Sequence, residues 1–381
     1  MYLRKLSIIN FKNYQEANLE FSEKINCFVG NNGAGKTNLL DAIYYLSFTK
    51  SYFNTVDLQN IRHETDFFAI HGEYLCNGNP ADNLSCIQKR NQKKVFKLNK
   101  KEHDRLADHI GLYPLVMVSP YDRDLINEGS ELRRKFIDSV ISQFDRVYLD
   151  DLIIYNKVLA QRNALLKHFA DERYFDESML CILNDQLTPP GYRIFEKRMN
   201  FLTDFAPIFT YYYSYITGEK EEVSISYESQ LIQDDFSRQL IDSVERDKAL
   251  RYTTVGIHKD DLEFLINGFP LKKFGSQGQQ KSYAIAVKLA QFEFTKKKVN
   301  FKPVLLFDDI FDKLDPSRVE HLIKLVSDDR FGQVFITDTQ RERIQQIFDS
   351  AEISHKVFTV NEGSVSEIPP LKQMPDNTIQ E

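Results

Sequence analysis

Two short segments of the chain carry residues that could bind a nucleotide. The first, Gly30 to Thr37 (GNNGAGKT), matches the phosphate-binding P-loop pattern G-x-x-x-x-G-K-[ST] at every fixed position. The second, Gly275 to Lys281 (GSQGQQK), places a serine before a turn rich in Gly and Gln, and an acidic strand follows shortly afterwards. Together they indicate an ATPase in which one subunit supplies the P-loop and another supplies the serine, so that ATP would hold a dimer together.

The sequence around the first segment supports a P-loop. Ile25 to Val29 is a short apolar strand and Lys36 to Phe48 has a helical apolar face, which gives the strand, loop and helix that the motif requires. The glycines would let backbone N–H groups turn towards phosphate oxygens, and the helix N-terminus adds partial positive charge. Lys36 would reach the β- and γ-phosphates and the Thr37 hydroxyl would bind Mg²⁺. The alternative is an ordinary Gly/Asn turn. The predicted nucleotide-binding residues here are Gly30, Asn31, Asn32, Gly33, Ala34, Gly35, Lys36 and Thr37.

A second strand brings two acids to the same kind of position. Val304 to Phe307 is entirely apolar and ends in Asp308 and Asp309, as expected for a buried parallel strand whose carboxyl end faces a ligand. Asp308 is the predicted Mg²⁺ partner. Asp309, the predicted catalytic residue together with Lys36, would orient the attacking water. The alternative is a capped turn after a buried strand.

The serine segment has two compatible interpretations. Ser276 followed by Gln279 is a capping box, and a capped helix N-terminus with Gly278 beside it is also a good contact for a γ-phosphate. One chain can hardly bring this helix to its own P-loop, whereas a second subunit can. Asp315 before Pro316 either caps the next helix or belongs to a loop that crosses a dimer interface.

These segments sit in a chain with an α/β start, a helical middle and an α/β finish. We expect an ATPase-head part over residues 1–125, a helical lobe over 126–220, a second head part over 221–365 and a mobile tail over 366–381. Pro189-Pro190-Gly191 is predicted to separate helices, so the helical segments should be short, without long coiled-coil heptads. Asn77 to Pro80 and Asn267-Gly268 are predicted turns.

Composition excludes several classes. The 381 residues are 42% hydrophobic and 27% charged, with a net charge of −6, which argues against a protein that coats nucleic acid with its whole surface. No leader or membrane-length apolar run is evident, so a cytoplasmic, non-membrane protein is expected. The four scattered cysteines indicate reduced thiols.

The sequence resembles a known protein family. Four motifs follow one another in the order found in ABC-type ATPase heads: the P-loop, Ser-Gln-Gly-Gln-Gln-Lys, Leu-Leu-Phe-Asp-Asp and Lys-Leu-Asp. The particular residues in these motifs are similar to those of the RecF family of recombination mediators. The resemblance runs from about residue 2 to 340. Its main segments are LSIINFKNY (from Leu6), PLVMVSP (from Pro114), ELRRKFID (from Glu131), YNKVLAQRNALLK (from Tyr155) and TTVGIHKDDLEF (from Thr253).

The resemblance implies a P-loop NTPase of Rad50-like α/β fold with a helical second lobe. It implies ATP and Mg²⁺ binding, an ATP-dependent homodimer, and a clamp on single-stranded DNA and duplex junctions that loads recombinase with the partners RecR and RecO. Two departures suggest slow hydrolysis: Asp309 stands where ABC heads usually have Glu, and the segment Val334 to Thr339 lacks their switch histidine. Gln59 is a weak match to the glutamine that senses Mg²⁺.

Basic segments are candidates for DNA contact, though each has an ordinary alternative. Lys89 to Lys101 holds seven basic residues and no acid, and is either a DNA-binding strand or a charged edge that prevents aggregation. Arg133 to Lys135 and Lys296 to Lys298 are smaller groups. His258 to Asp261 is either a metal cluster or a polar loop.

Two other functions stay open from the residues alone. One is a monomeric P-loop enzyme such as a kinase, which would have no use for the serine segment. The other is a structural ATPase of the SMC type, which would carry hundreds of coiled-coil residues between its halves.

Overall fold

The computed structural model describes residues 1–76, 80–218, 221–310, 316–327, 329–340 and 355–368, and within 316–327 the side chains at 318, 319, 321, 322, 324 and 325. The predicted turn at Asn77, the Asp312 to Asp315 loop and the tail from Pro369 lie outside these residues.

The strands alternate with helices at both ends of the chain, and helices dominate its middle. The strands are β1 (Tyr2–Phe11), β2 (Tyr14–Glu20), β3 (Ile25–Val29), β4 (Phe67–Leu75), β5 (Asp82–Lys89), β6 (Val95–Leu98), β7 (Lys101–Glu102), β8 (Leu115–Val118), β9 (Val223–Glu228), β10 (Asp261–Ile266), β11 (Phe269–Pro270), β12 (Val304–Phe307), β13 (Val334–Asp338), β14 (His355–Asn361) and β15 (Ser364–Ile368). The helices are α1 (Lys36–Phe48), α2 (Asp124–Asn127), α3 (Ser130–Ser142), α4 (Arg146–Glu172), α5 (Glu177–Thr217), α6 (Phe236–Asp242), α7 (Val244–Leu250), α8 (Leu271–Phe274), α9 (Gln277–Val299) and α10 (Pro316–Ser327).

A mostly parallel sheet carries the predicted phosphate-binding and acidic segments. Its order is β15-β14-β3-β13-β12-β8, and β3, β13, β12, β8 and β14 run parallel. Every residue of β3 and β12 is buried, because helices and the second sheet cover both faces of these central strands. The carboxyl ends of β3, β12 and β13 therefore meet at one edge, which brings Gly30, Asp308 and Asp338 together.

A second, antiparallel sheet has the order β2-β1-β4-β5-β6-β7. Its strands alternate between buried and exposed residues, as expected when one face packs on a core and the other faces solvent. The buried face covers α1, so the P-loop helix is enclosed between the two sheets. A three-stranded sheet, β11-β10-β9, contains the hairpin that Asn267-Gly268 predicted.

The helical middle differs from the prediction in one respect. The break expected at Pro189-Pro190-Gly191 is absent, and α5 runs unbroken for 41 residues with Pro189, Pro190 and Pro207 inside it. The prediction of short helices was therefore wrong. Gly191 serves close packing instead, because a Cβ there would lie 2.6 Å from Cε1 of Phe236. Burial of one face along α4, α6 and α9 outweighs the local cost of proline, about 3 kcal/mol in an isolated helix.

The core is continuous through the helices and the parallel sheet. α5 buries Phe205 and Tyr213 against Phe294 and Tyr283 of α9, which itself packs on the sheet, and α3 and α4 extend the same core. The segment boundaries at residues 125, 220 and 365 stay predictions. Among the described helices, none is both long and apolar enough to span a bilayer.

Candidate nucleotide-binding site

The P-loop joins β3 to α1 as predicted. Lys36 is 5% exposed, and its ammonium donates hydrogen bonds to the carbonyls of Gly30 at 2.9 Å and Asn31 at 3.0 Å, so the loop is wrapped around it. Gly35 has φ of 116°, and a Cβ there would lie 2.4 Å from Nδ2 of Asn13. Glycine is therefore required for both conformation and space. The loop has the shape in which backbone N–H groups and one ammonium can surround a phosphate.

The turn between β1 and β2 fixes the loop from outside. Asn13 donates from Nδ2 to the carbonyl of Ala34 at 3.1 Å, and the buried Tyr14 hydroxyl donates to the carbonyl of Gly35 at 3.0 Å. Asn38, on the first turn of α1, donates to the other end of the Asn13 amide at 2.7 Å. Sequence reasoning assigned these residues no role, although Asn13 and Tyr14 lie within the LSIINFKNY segment that carried the resemblance.

The acid at the end of β12 faces the P-loop threonine. The Thr37 hydroxyl donates to the Asp308 carboxylate, with oxygen distances of 2.8 and 3.1 Å. The hydroxyl of Thr337, at the end of β13, donates to Asp308 Oδ1 at 2.8 Å. Hydroxyl and carboxylate oxygens are the ligands that Mg²⁺ prefers, so Thr37 and Asp308 fit the predicted metal role. Within the described residues, no group of three His, Cys, Asp or Glu forms a metal cluster elsewhere.

Burial controls the charge of this acid. Asp308 is 3% exposed, and desolvation raises its pKa above the ordinary value. The bonds from Thr37 and Thr337 oppose that rise, as does the nearby Lys36 charge, whereas Asp309 adds to it. A divalent cation beside Asp308 would favour its ionised form, so metal binding and loss of a proton are coupled here.

Thr337 connects the two acids. Its oxygen donates to Asp308 and accepts the backbone N–H of Asp309 at 2.9 Å. Asp309 has φ of 44°, a left-handed conformation that a non-glycine residue adopts only when its surroundings hold it. Sequence reasoning noted that the β13 segment lacked a histidine but missed this threonine. A polar residue at the end of an otherwise apolar strand was the available signal.

Ser276 makes no hydrogen bond to the P-loop of its own chain. Ser276 and Gln279 form the predicted capping box, with the Gln279 N–H to Ser276 Oγ at 3.2 Å and the Ser276 N–H to Gln279 Oε1 at 2.6 Å. Its backbone carbonyl accepts from Gln280, and none of these bonds reaches residues 30–37. The serine is exposed at the start of α9. Below it, Arg318 of α10 donates to the Gly278 carbonyl at 3.3 Å and to Ser282 at 2.9 Å.

A buried polar network links the P-loop helix to the helix that begins at Ser276. Asp41 of α1 accepts the backbone N–H of Tyr52 at 2.7 Å, and the Tyr52 hydroxyl donates to Asp122 at 2.6 Å. Asp122 also forms an ion pair with Lys288 of α9 at 3.0 Å. Lys288 and Asp122 are almost fully buried, so their contact is little screened by solvent. Buried polar contacts thus connect α1 to α9 within one chain.

Other predicted candidates fall elsewhere. Gln59 is exposed in a short 3₁₀ turn (Asp57–Asn60), where its backbone N–H donates to the carbonyl of Val56 at 3.1 Å, the residue just before the turn. His258 is bonded to the Tyr155 hydroxyl at 2.9 Å and to the Thr253 carbonyl at 3.0 Å. Asp260 and Asp261 pair with Arg198 and Arg133 respectively. These contacts favour the interpretation of residues 258–261 as a polar loop rather than as a metal cluster.

The basic segments are only partly available to a ligand. Lys94 pairs with Asp57 at 2.6 Å and donates to the Thr49 carbonyl, which gives it a structural role at the end of α1. Arg133, Lys135, Lys296 and Lys298 each have an acidic partner. Lys89 to Lys101 forms parts of β5, β6 and β7 at the sheet margin, as expected for a charged edge. Its DNA-binding alternative stays a prediction.

The fold and the site define an ATPase head of the ABC type. The RecF/RecN/SMC N terminal domain family matches residues 2–365. A DNA replication and repair protein RecF from Flavobacterium johnsoniae is 54% identical over 360 residues, which span 94% of this chain and 100% of the relative. The chain belongs to the RecF family.

Further relatives agree with this assignment. The RecF of Bacteroides fragilis strain ATCC 25285 is 50% identical over 368 residues, 97% of this chain and 99% of that protein. A solved structure of the recombination mediator RecF with ATP is 30% identical, with a TM-score of 0.87 over 97% of this chain and 98% of that chain. An Smc head domain from Pyrococcus furiosus, with 18% identity over 96% of each chain and a TM-score of 0.56, shares the fold.

Proposed function

We propose that this chain binds ATP with Mg²⁺ at its P-loop and dimerises on it, with Ser276 of a second copy completing each site. The observation that carries the proposal is the division of the site within one chain. Thr37, Asp308 and Lys36 lie together, whereas Ser276 is exposed at another helix end. A helix N-terminus with a serine hydroxyl suits the γ-phosphate of a nucleotide held by another copy.

The residues present fit a bound nucleotide. When bound, Mg²⁺ supplies charge neutralisation for the phosphates. Lys36 would exchange its bonds with the Gly30 and Asn31 carbonyls for phosphate oxygens. Thr37 and Asp308 would hold the metal, and Gly278 and Gln279 would support Ser276 at the far side of the site.

Turnover should be slow. Asp309 is one methylene shorter than the glutamate that ABC heads usually carry, and β13 ends in Thr337 and Asp338 with no histidine. A water beside Asp309 would be less well positioned, which raises the barrier for hydrolysis. Wild-type turnover in the ordinary enzyme range, about 1 to 1000 per second, would contradict this expectation.

We further propose that the ATP-bound dimer clamps DNA at junctions of single and double strands, acts in the cytoplasm with RecR and RecO, and helps load recombinase. Family membership supports this role, because curated relatives of half or more identity are named DNA replication and repair proteins. Contacts should be mainly to phosphates and therefore weakly sequence-specific and salt-sensitive.

The first test is the oligomeric state, measured by light scattering with and without ATP and Mg²⁺. Wild type should dimerise with ATP. Lys36→Arg should weaken nucleotide binding, and Ser276→Arg should bind ATP but stay monomeric. Ser237→Arg, at an exposed serine in the first turn of α6, controls for the added charge and should behave as wild type.

Two results would contradict the proposed shared site. A wild type that binds ATP and stays monomeric would leave a monomeric P-loop enzyme as the better function. Dimerisation by Ser276→Arg as strong as wild type would exclude the shared site. The DNA role is tested separately by fluorescence anisotropy with gapped and blunt duplexes, where the gapped substrate should bind more tightly in the presence of ATP.

A further inference from the structure

The outer face of the six-stranded antiparallel sheet contains a concave pocket with a volume of about 390 Å³. Its lining comes from β1, β4, β5 and the β6 margin, and none of the residues proposed for nucleotide binding takes part. Its polar side chains are those of Lys5, Ser7, His71, Glu73, Asn83, Ser85, Lys97 and Lys100. We call this surface the sheet dish.

Strand register places four of these residues in one row. Ser7 lies opposite His71, His71 opposite Ser85, and Ser85 opposite Lys97. Directly opposed residues point to the same face of a sheet, with Cβ atoms about 5 Å apart. His71 therefore lies between two hydroxyls, and the row continues through the Lys97 ammonium to Glu102 of β7. Lys5 lies two residues before Ser7 on the same face.

The opposite face explains why the row is fixed. Leu6, Ile70, Leu84 and Phe96 alternate with the row and are buried against the core below. A slip of one residue in any strand would move these side chains into solvent. The row of polar groups is therefore as rigid as the sheet itself, and the small serine side chains leave space above the imidazole.

The donors in the dish have no partner within the part of the chain that the structure describes. No hydrogen bond or ion pair is formed there by the side chains of Ser7, His71 and Ser85, or by the ammonium groups of Lys5, Lys97 and Lys100. The one acid in the lining, Glu73, is paired with Arg4. Acids lie opposite two of the lysines in the strand register, Glu102 opposite Lys97 and both Glu20 and Glu73 opposite Lys5, but among the described residues none of the three ammonium groups forms an ion pair with them.

The hydrogen-bonding chemistry of these groups indicates which class of ligand would fit the sheet dish. Hydroxyls and ammoniums are hydrogen-bond donors, and burial lowers the pKa of His71, so that its neutral ring offers one N–H near pH 7. Within the row, a ligand would meet donors from four neighbouring strands. A tetrahedral oxyanion has several acceptor oxygens and matches such a set, whereas a cation or an apolar group does not.

We infer that the sheet dish is a second phosphate-binding site, separate from the P-loop. The phosphate could belong to a nucleic acid backbone or to a free phosphate compound, since both present the same oxygens. The nucleic acid source would deepen the proposed clamp and rests on that proposed function. The phosphate site itself does not.

The probe is inorganic phosphate, followed at His71 by the ring-proton resonance of protein labelled at histidine and assigned with His71→Gln. A local reporter is needed because phosphate can also enter the P-loop. We expect a saturable shift of the His71 resonance. The double variant Lys97→Gln/Lys100→Gln should weaken phosphate binding by about tenfold or more, because two nearby charges are lost.

The matched control is a second double variant that removes two lysine charges from the same hairpins but outside the sheet dish. Lys93 and Lys101 are exposed and do not line the dish. Lys93→Gln/Lys101→Gln should change phosphate affinity by less than about twofold, since exposed charges further away are screened. Equal weakening by both double variants, or a His71 resonance that does not move with phosphate, would overturn the site.

A short duplex then identifies the source. If the duplex also shifts His71, and the Lys97/Lys100 double variant lowers the salt slope of DNA binding by about two, the phosphate belongs to the DNA backbone. If phosphate alone shifts His71, the site takes a free phosphate compound. DNA binding by anisotropy with no response of His71 to either ligand would refute the dish and leave the proposed clamp intact. No DNA binding at all would refute the clamp, and the phosphate titration would still decide the dish.

Discussion

Thr337→Val tests whether one buried hydroxyl positions both acids of the candidate site. Valine keeps the shape of threonine and replaces its hydroxyl with a methyl group. Thr337 is completely buried, donates to Asp308 at 2.8 Å and accepts the Asp309 N–H at 2.9 Å. The substitution therefore deletes two hydrogen bonds at once and leaves two polar groups without that partner.

The expected cost follows from these two bonds. A hydrogen bond to a charged group contributes about 1.5 to 3 kcal/mol, and a neutral one about 1 kcal/mol. Loss of both should lower the free energy of unfolding by about 2 to 4 kcal/mol. Asp309 should also leave its left-handed conformation more readily, because the bond that holds its N–H is gone.

The same change acts on nucleotide binding through charge. Burial already raises the pKa of Asp308, and the Thr337 bond opposes that rise. Removing the bond should raise the pKa further. Only the ionised carboxylate can bind Mg²⁺, so affinity for ATP with Mg²⁺ falls as pH falls through this pKa. In Thr337→Val the fall should begin at higher pH than in wild type.

Two assays separate these effects. Urea unfolding gives the stability, and ATP titrations between pH 5 and 8 with and without Mg²⁺ give the proton linkage. Thr337→Ser is the control, because it keeps the hydroxyl and should retain the wild-type pH profile with a loss of only about 1 kcal/mol for the buried methyl. A valine variant with the stability and pH profile of wild type would refute a positioning role for Thr337.

Three further outcomes follow from buried contacts. Lys288→Met should destabilise the fold by about 3 kcal/mol, measured by urea unfolding, because Asp122 loses its buried ion partner; an unchanged midpoint would contradict the network between the two helices. Burial lowers the pKa of His258 to about 4, so the unfolded chain takes up a proton below about pH 6.5 and stability falls from there towards pH 4; His258→Gln should show a flatter pH profile of unfolding, and an equally steep one would exclude His258 as a cause. Gly191→Ala should lower the melting temperature, although alanine favours helices, because its Cβ would meet Phe236 at 2.6 Å; a higher melting temperature would show that the contact relaxes freely.

Local elements of the α/β parts were predictable because their signals are short-range. The β3 strand, the α1 helix and the β12 strand have the predicted bounds, since an apolar run or a helical stripe must be buried wherever it lies. The capping box at Ser276 was equally local. The helical middle was harder, and Pro189-Pro190-Gly191 was misread as a break. The partner that fills the space above Gly191, Phe236, lies 45 residues further along the chain.

The sequence by itself predicted which residues would bind phosphate and metal. Gly30 to Thr37, Asp308 and Ser276 are recognisable because each role demands a particular residue type at a fixed spacing from its neighbours. Such requirements concern residues that are neighbours in the sequence, so they can be recognised without knowledge of the fold.

Only the tertiary structure decided which groups support them. Thr337 bridges Asp308 and Asp309 because β13 pairs with β12, and Asn13 holds the P-loop because the β1–β2 turn reaches it. The sheet dish likewise exists only through the pairing of β1, β4, β5 and β6. Contacts between distant segments depend on strand order and register, which a burial pattern within one strand does not specify.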